Sequence, residues 1–105
     1  MSHEELFAQV CQAEGLAGWS LEWYESDAVE GYCWRSLQTI RIGPANENVP
    51  RLILHELAHA LTQPTCPGHG AEFWRVYRRL LDTHLRGVEF SESDYAILRA
   101  QVTFH

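Results

Sequence analysis

The stretch Leu52-Ile53-Leu54-His55-Glu56-Leu57-Ala58-His59-Ala60-Leu61 decides how this chain is read. It is an apolar run with a His-Glu-x-x-His pattern set inside it. On a helix, residues four apart lie one turn above each other on a shared face, so His55 and His59 can grip one ion together. Glu56 is rotated by about 100° from His55, which carries its carboxylate past the ion toward a water. That is a general-base position, not a ligand position. Zinc fits best, because imidazole suits it and a catalytic zinc site keeps three protein ligands plus one open position. The bland alternative is a helix with two surface histidines. The helix is expected to begin near Asn48, a capping residue, with Pro50 tolerated in the first turn. It is expected to end before Pro64, because the residue preceding a proline avoids helical backbone.

Two ligands are too few, and the segment Pro64-Thr65-Cys66-Pro67-Gly68-His69-Gly70-Ala71-Glu72-Phe73 offers a third. His69 lies between two glycines at the start of a second helical pattern whose apolar stripe is Phe73, Val76, Tyr77, Leu80 and Leu81. A Pro-Gly turn followed by Gly70 lets the chain double back and present His69 to the first helix. Glu72 is the competing third ligand. It also reads as a partner that fixes an imidazole, or simply as an acid in the first turn of a helix. Cys66 precedes His69 by three, and a thiolate there would close the site and make the metal structural or the enzyme latent.

Three blocks of this sequence resemble the SprT-like zinc metalloproteases, and more loosely the small zincin-type metallohydrolases. They are Gly31-Tyr32-Cys33 with Ile40-Arg41-Ile42, then His55-Glu56-Leu57-Ala58-His59-Ala60-Leu61, then Pro67-Gly68-His69-Gly70-Ala71-Glu72-Phe73. They fall within residues 31 to 73. The second block is shared by many zincins, whereas the Gly-His-Gly-x-x-Phe block at this distance points to the SprT-like family. The resemblance implies His55, His59 and His69 as zinc ligands and Glu56 as the catalytic base. It also implies a minimal zincin-like fold with the first zinc helix packed on a sheet. The sequence departs from the pattern after Leu85, where the cysteine-rich zinc ribbon of many members does not follow, so cleavage of DNA-bound proteins is not carried over.

A chain of 105 residues, 46 % hydrophobic and 11 % aromatic, is expected to form a single domain over 1–105. Chains this short bury only about 60–70 % of their unfolded surface, so a metal that links two helices is expected to stabilise the fold. The acidic opening Met-Ser-His-Glu-Glu, with no long apolar run after it, leads to the expectation of no signal peptide, no membrane span and a cytoplasmic location. Cys11, Cys33 and Cys66 make an odd count without a Cys-x-x-Cys pair, which argues against a disulfide framework. The net charge is −6 and no lysine is present. An acidic chain is a poor sequence-independent nucleic-acid binder, so nucleic acid is not an expected partner. Arg75, Arg78, Arg79 and Arg86 concentrate on the second helix and its end. They read as a solvated face completed by Asp82, or else as a docking patch for an acidic group.

Along the rest of the chain, Leu6, Phe7, Val10 and Cys11 have helical spacing that stops at Gly15. Three strand-like runs follow, with Trp19, Leu21 and Trp23 alternating, then Tyr32–Arg35, then Ile40 and Ile42 before Gly43-Pro44. Val88–His105 carries a last helical pattern opened by Ser91 or Ser93, with Tyr95, Leu98 and Val102. The expected fold is α+β, a small three-stranded antiparallel sheet with helices packed on it, in the order α-β-β-β-α-α-α. Tyr32–Arg35 or Thr39–Ile42 is the expected edge strand, able to hold an extended peptide by main-chain hydrogen bonds. Trp19, Trp23, Trp34 and Trp74 are expected in the core, with a substrate cleft as the alternative.

The expected function is hydrolysis of peptide bonds by a zinc-activated water, with Glu56 as general base and one zinc per chain. The partner is then a peptide or protein substrate, and a monomer is the default. Tyr32, Tyr77 and His84 are candidates to help hold the oxyanion, and Thr62 faces the site by its spacing from His55 and His59. The alternative is a non-catalytic or latent metal-stabilised binding module. Manganese, nickel or cobalt also suit a three-histidine site.

Overall fold

The computed structural model describes residues 2–25, 27–46, 48–62 and 69–85. Cys66, Arg86 and the helical pattern expected over 88–105 lie outside the described residues. The elements run α1 (His3–Glu14), β1 (Ser20–Trp23), β2 (Gly31–Trp34), a 3-10 turn (Arg35–Leu37), β3 (Thr39–Ile42), α2 (Val49–Leu61) and α3 (Ala71–His84). This is an α+β arrangement, and the order matches the expected one as far as the described residues reach.

Each helix starts and stops for a local reason. Ser2 caps α1 in a capping box, where its hydroxyl accepts from the Glu5 N–H at 3.0 Å and Glu5 Oε1 accepts from the Ser2 N–H at 2.9 Å. Gly15 ends α1 in the left-handed region at φ 75, where a side chain would be strained. Asn48 caps α2 by accepting from the Arg51 N–H at 3.2 Å, with Pro50 in the first turn. The bounds of α2 are those expected from Asn48 and Pro64.

The sheet differs from expectation. Its order is β1-β3-β2, with β3 antiparallel to β2 and parallel to β1. Successive strands do reverse direction, but β3 inserts between the other two, so the sheet is mixed and not antiparallel throughout. The physical reason is burial: Ile40 and Ile42 are fully buried and Thr39 nearly so, and the most deeply buried strand takes the position flanked by a strand at each edge. Thr39–Ile42 is therefore the central strand. The edges are β1 and β2. The turn Arg35–Leu37, closed by Gln38 at φ 50, is what brings β2 back alongside β3.

Helix α2 packs on β2 and β3 on one side and on α3 on the other, with α1 also against it. This explains why Ile53, Leu54, Leu57 and Ala58 are all fully buried: the helix has almost no solvent face. The stripes expected for α1 and α3 point inward, with Leu6, Phe7, Val10 and Cys11 meeting Phe73, Tyr77, Leu80 and Leu81 in one core and Val76 packed partly against it. The tryptophans divide. Trp19 and Trp74 pack partly buried against the core, whereas Trp23 and Trp34 are 36 % and 42 % exposed, contrary to the core expectation. Trp34 lies on the open face of the edge strand, where the Arg41 guanidinium stands 5.9 Å from its ring and 5.3 Å from that of Tyr24. Among the described residues, no helix is long and apolar enough to cross a membrane.

Candidate metal centre

Because α2 is sandwiched between the sheet and α3, its His55 and Glu56 are carried into the interior, 5 % and 1 % exposed. The first residues of the α3 segment come back against them. His69 is buried just before α3, and its Nε2 stands 3.0 Å from His55 Nε2. One ligand atom from each of His55, His59 and His69 falls within 4.8 Å of the others, a group that could hold a metal ion. Two imidazoles on a tetrahedral zinc, at about 2.0–2.1 Å each, stand roughly 3.3 Å apart, so the His55–His69 pair is already near that spacing. All three imidazoles lie against the Phe73 ring of α3, at centroid distances of 5.0 Å for His55, 4.5 Å for His59 and 4.7 Å for His69. Tyr77 adds a second ring, 5.5 Å from His55. The residues that the sequence marks as the apolar stripe of α3 thus form the wall that orients the imidazoles.

Burial disfavours charge on His55, and the neighbouring His59 and His69 add to this, so its pKa is held well below the usual histidine value. The neutral imidazole that results is the form that ligates a metal. Glu56 Oε2 lies 4.0 Å from His55 Nε2, and Oε1 is buried without a hydrogen-bond partner. Burial pushes this carboxyl well above the ordinary carboxylate range. A dication among the imidazoles acts in the opposite sense on the same group. Three clustered imidazoles, with a buried Glu56 carboxyl oxygen that lacks a hydrogen-bond partner beside them, are a donor set compatible with a divalent metal ion.

The other candidates are placed as follows. Glu72 is exposed in the first turn of α3 and lies outside the metal-binding group found among the described residues. Its charge there meets the positive end of the helix dipole. The Thr62 hydroxyl donates to the His59 carbonyl at 3.1 Å, so it serves the helix end. His84 Nε2 stands 3.1 Å from Glu14 Oε2, on the side of the molecule where α1 meets α3, and takes no part in the centre. Tyr32 is half-buried on β2, its ring 6.1 Å from that of Trp34. Arg79 pairs with Glu14 at 2.8 Å, not with Asp82, so the expected arginine face is partly spent on joining two helices.

Three residues of the site's surroundings were not singled out individually from sequence. Gly31 of β2 lies so close to α2 that a Cβ there would stand 2.8 Å from Glu56 Oε2 and 2.8 Å from Leu52 Cδ1. Tyr24 is near enough to feel Glu56: its phenol is raised first by burial and then by Glu30, with Glu56 adding to the effect. Arg35 reaches across to α2 and donates from Nη2 to the carbonyls of His59 and Thr62. A glycine inside the strand pattern was the one available signal for the first of these. The Arg35 contact spans 24 and 27 residues and has no local signature. Comparison with protein-family models, with curated proteins and with solved structures finds no match to this chain.

Proposed function

We propose that this chain is a zinc-dependent metallopeptidase, a reduced zincin-like core of the SprT-like kind, with His55, His59 and His69 as metal ligands and Glu56 as general base. The observation that carries this reading is the meeting of three imidazoles within 4.8 Å with a buried carboxyl whose Oε1 has no hydrogen-bond partner. A bound zinc supplies positive charge that polarises a scissile carbonyl and acidifies water. Glu56 takes the proton of the attacking water and passes it to the leaving amine nitrogen, and Oε1 is the acceptor left for it. Phe73 and Tyr77 hold the imidazoles and keep bulk water from their rear.

A peptide suits this geometry because β2 is an edge strand packed against α2. An extended chain added along that edge by main-chain hydrogen bonds would pass beside Gly31, next to the Glu56 carboxylate. The acidic balance of −6 argues against nucleic acid as a partner. Cys11 and Cys33 as free thiols fit a reducing cytoplasm, and the mechanism asks for no second chain.

The test is elemental analysis with X-ray absorption at the zinc edge on protein purified without added metal, followed by hydrolysis of unfolded protein substrates by wild type and Glu56→Gln. One zinc with a nitrogen-rich shell, and turnover lost in a Glu56→Gln variant that keeps its zinc, is the expected result. Absence of metal overturns the reading. Zinc without turnover, and with partner binding unchanged in Glu56→Gln, identifies a metal-stabilised binding module.

A further inference from the structure

The last turn of α2 is the weakest part of the proposed centre by its own chemistry. The final carbonyls of a helix have no partner within it, and they carry the negative end of the helix dipole. His59 sits in this turn, two residues before the end of α2 at Leu61. It must hold its imidazole in place from a segment that frays when left alone. Thr62, with extended backbone, ends the helix.

Arg35 closes this turn from outside the helix. It begins the 3-10 turn that follows β2, and β2 itself packs on α2. A guanidinium nitrogen of the Nη type carries two divergent N–H groups, and Nη2 of Arg35 donates to both the His59 and the Thr62 carbonyls. Thr62 completes the arrangement. Its hydroxyl donates to the His59 carbonyl at 3.1 Å, and its N–H donates to the Ala58 carbonyl at 3.1 Å. The residue whose imidazole enters the metal group is thus fixed through its own backbone by a cation from the edge of the sheet.

We propose that Arg35 is a positioning residue for the metal centre, a helix cap supplied from the sheet that fixes the backbone of His59 and Thr62. The proposal rests on the metallopeptidase reading in that it takes these imidazoles as ligands. A merely structural arginine would lower stability without a selective effect on the metal. A positioning arginine weakens metal binding in protein that is still folded, as partners of ligands do by roughly 10–100-fold. Lysine supplies the charge without the planar fork, so it restores part of the effect.

The experiment measures zinc affinity by chelator competition for wild type, Arg35→Ala, Arg35→Lys and Glu14→Gln, with amide exchange at Thr62 followed in the metal-free proteins. Expected for Arg35→Ala are a loss of zinc affinity of about 10-fold or more and faster exchange at Thr62. Arg35→Lys falls between it and wild type. Glu14→Gln, remote from the centre, lowers thermal stability and leaves zinc affinity unchanged. Wild-type affinity in Arg35→Ala overturns the proposal, and so does an equal loss in Glu14→Gln. If Arg35→Ala does not fold, an unchanged zinc affinity in Arg35→Lys overturns it. If wild type itself holds no zinc, the metallopeptidase reading falls first and takes this role of Arg35 with it. Wild-type zinc binding with indifferent Arg35 variants removes only the positioning role.

Discussion

A methyl group added at Gly31 would stand 2.8 Å from Glu56 Oε2, so the edge strand and the proposed general base are fitted to each other through the absence of a side chain. The same methyl would press on Leu52 Cδ1 at 2.8 Å, leaving the carboxylate little room to move aside within α2. Gly31→Ala is therefore expected to displace the Glu56 carboxylate while sparing the three imidazoles. A misplacement on the order of 1 Å costs up to about 100-fold in rate, and overpacking costs about 1–3 kcal/mol in stability. Steady-state kcat/KM alongside zinc content checks this. Lost activity with full zinc is the expected pair, and full activity would show that the carboxylate has freedom the packing denies it.

His69 and Glu72 compete as third ligand in the sequence, and their positions separate them. His69 is 7 % exposed with its Nε2 at 3.0 Å from that of His55, whereas Glu72 faces solvent. His69→Ala is expected to weaken zinc by more than about 100-fold, beyond what removal of a ligand's supporting partner costs. Glu72→Ala is expected to leave zinc affinity nearly unchanged and to lower stability only by the few tenths of a kcal/mol, ~0.3 or so, of one helix-dipole interaction. Chelator competition on both variants decides. The reverse pattern would mean that the ligand set is wrong.

Removal of the metal is expected to loosen the molecule as well as silence it. The proposed ligands come from α2 and from the approach to α3, so the ion ties together segments that otherwise meet only by packing. At free zinc a thousandfold above Kd, linkage gives about 4 kcal/mol. For a domain of this size that corresponds to a shift of roughly 15–30 °C in Tm. Thermal melts with and without a chelator measure it. A Tm indifferent to zinc would separate the imidazole cluster from any metal.

Much of the centre was legible before the fold because it is local. Asn48, Pro50 and the apolar run set the bounds of α2, and helical periodicity places His55 and His59 on one face whatever the rest of the chain does. The glycines around His69 gave the third imidazole. The sheet was less legible, since its order depends on which strand the helices cover. Ile40 and Ile42 win the centre by burial, a competition among distant segments that alternation within one strand does not reveal. For the same reason Trp23 and Trp34 could not be told from core tryptophans. The contacts from Gly31 to Glu56 and from Arg35 to His59 join β2 and its turn to α2, and only the packed structure brings them together.

An ion-pair cluster remote from the centre, that of Glu14, Arg79 and His84, gives a clear dependence on pH. Glu14 of α1 accepts from Arg79 of α3 through both oxygens, at 3.0 and 2.8 Å, and His84 Nε2 stands 3.1 Å from its Oε2. The Arg79 guanidinium, helped by His84, holds the Glu14 carboxyl below its ordinary value of 4.5. A carboxyl lowered on folding contributes stability above its unfolded-state value and loses it as pH falls through the folded-state value. The Glu14 side chain is 10 % exposed but that of Arg79 is 51 % exposed, so solvent screening limits the pair to about 1 kcal/mol. Glu14→Gln is thus expected to be less stable than wild type by about 1 kcal/mol near neutral pH, with the gap closing as the pH drops below 4.5. Urea unfolding at neutral and acid pH tests this. A gap that persists unchanged in acid would assign the loss to packing between α1 and α3 and not to the charge on Glu14.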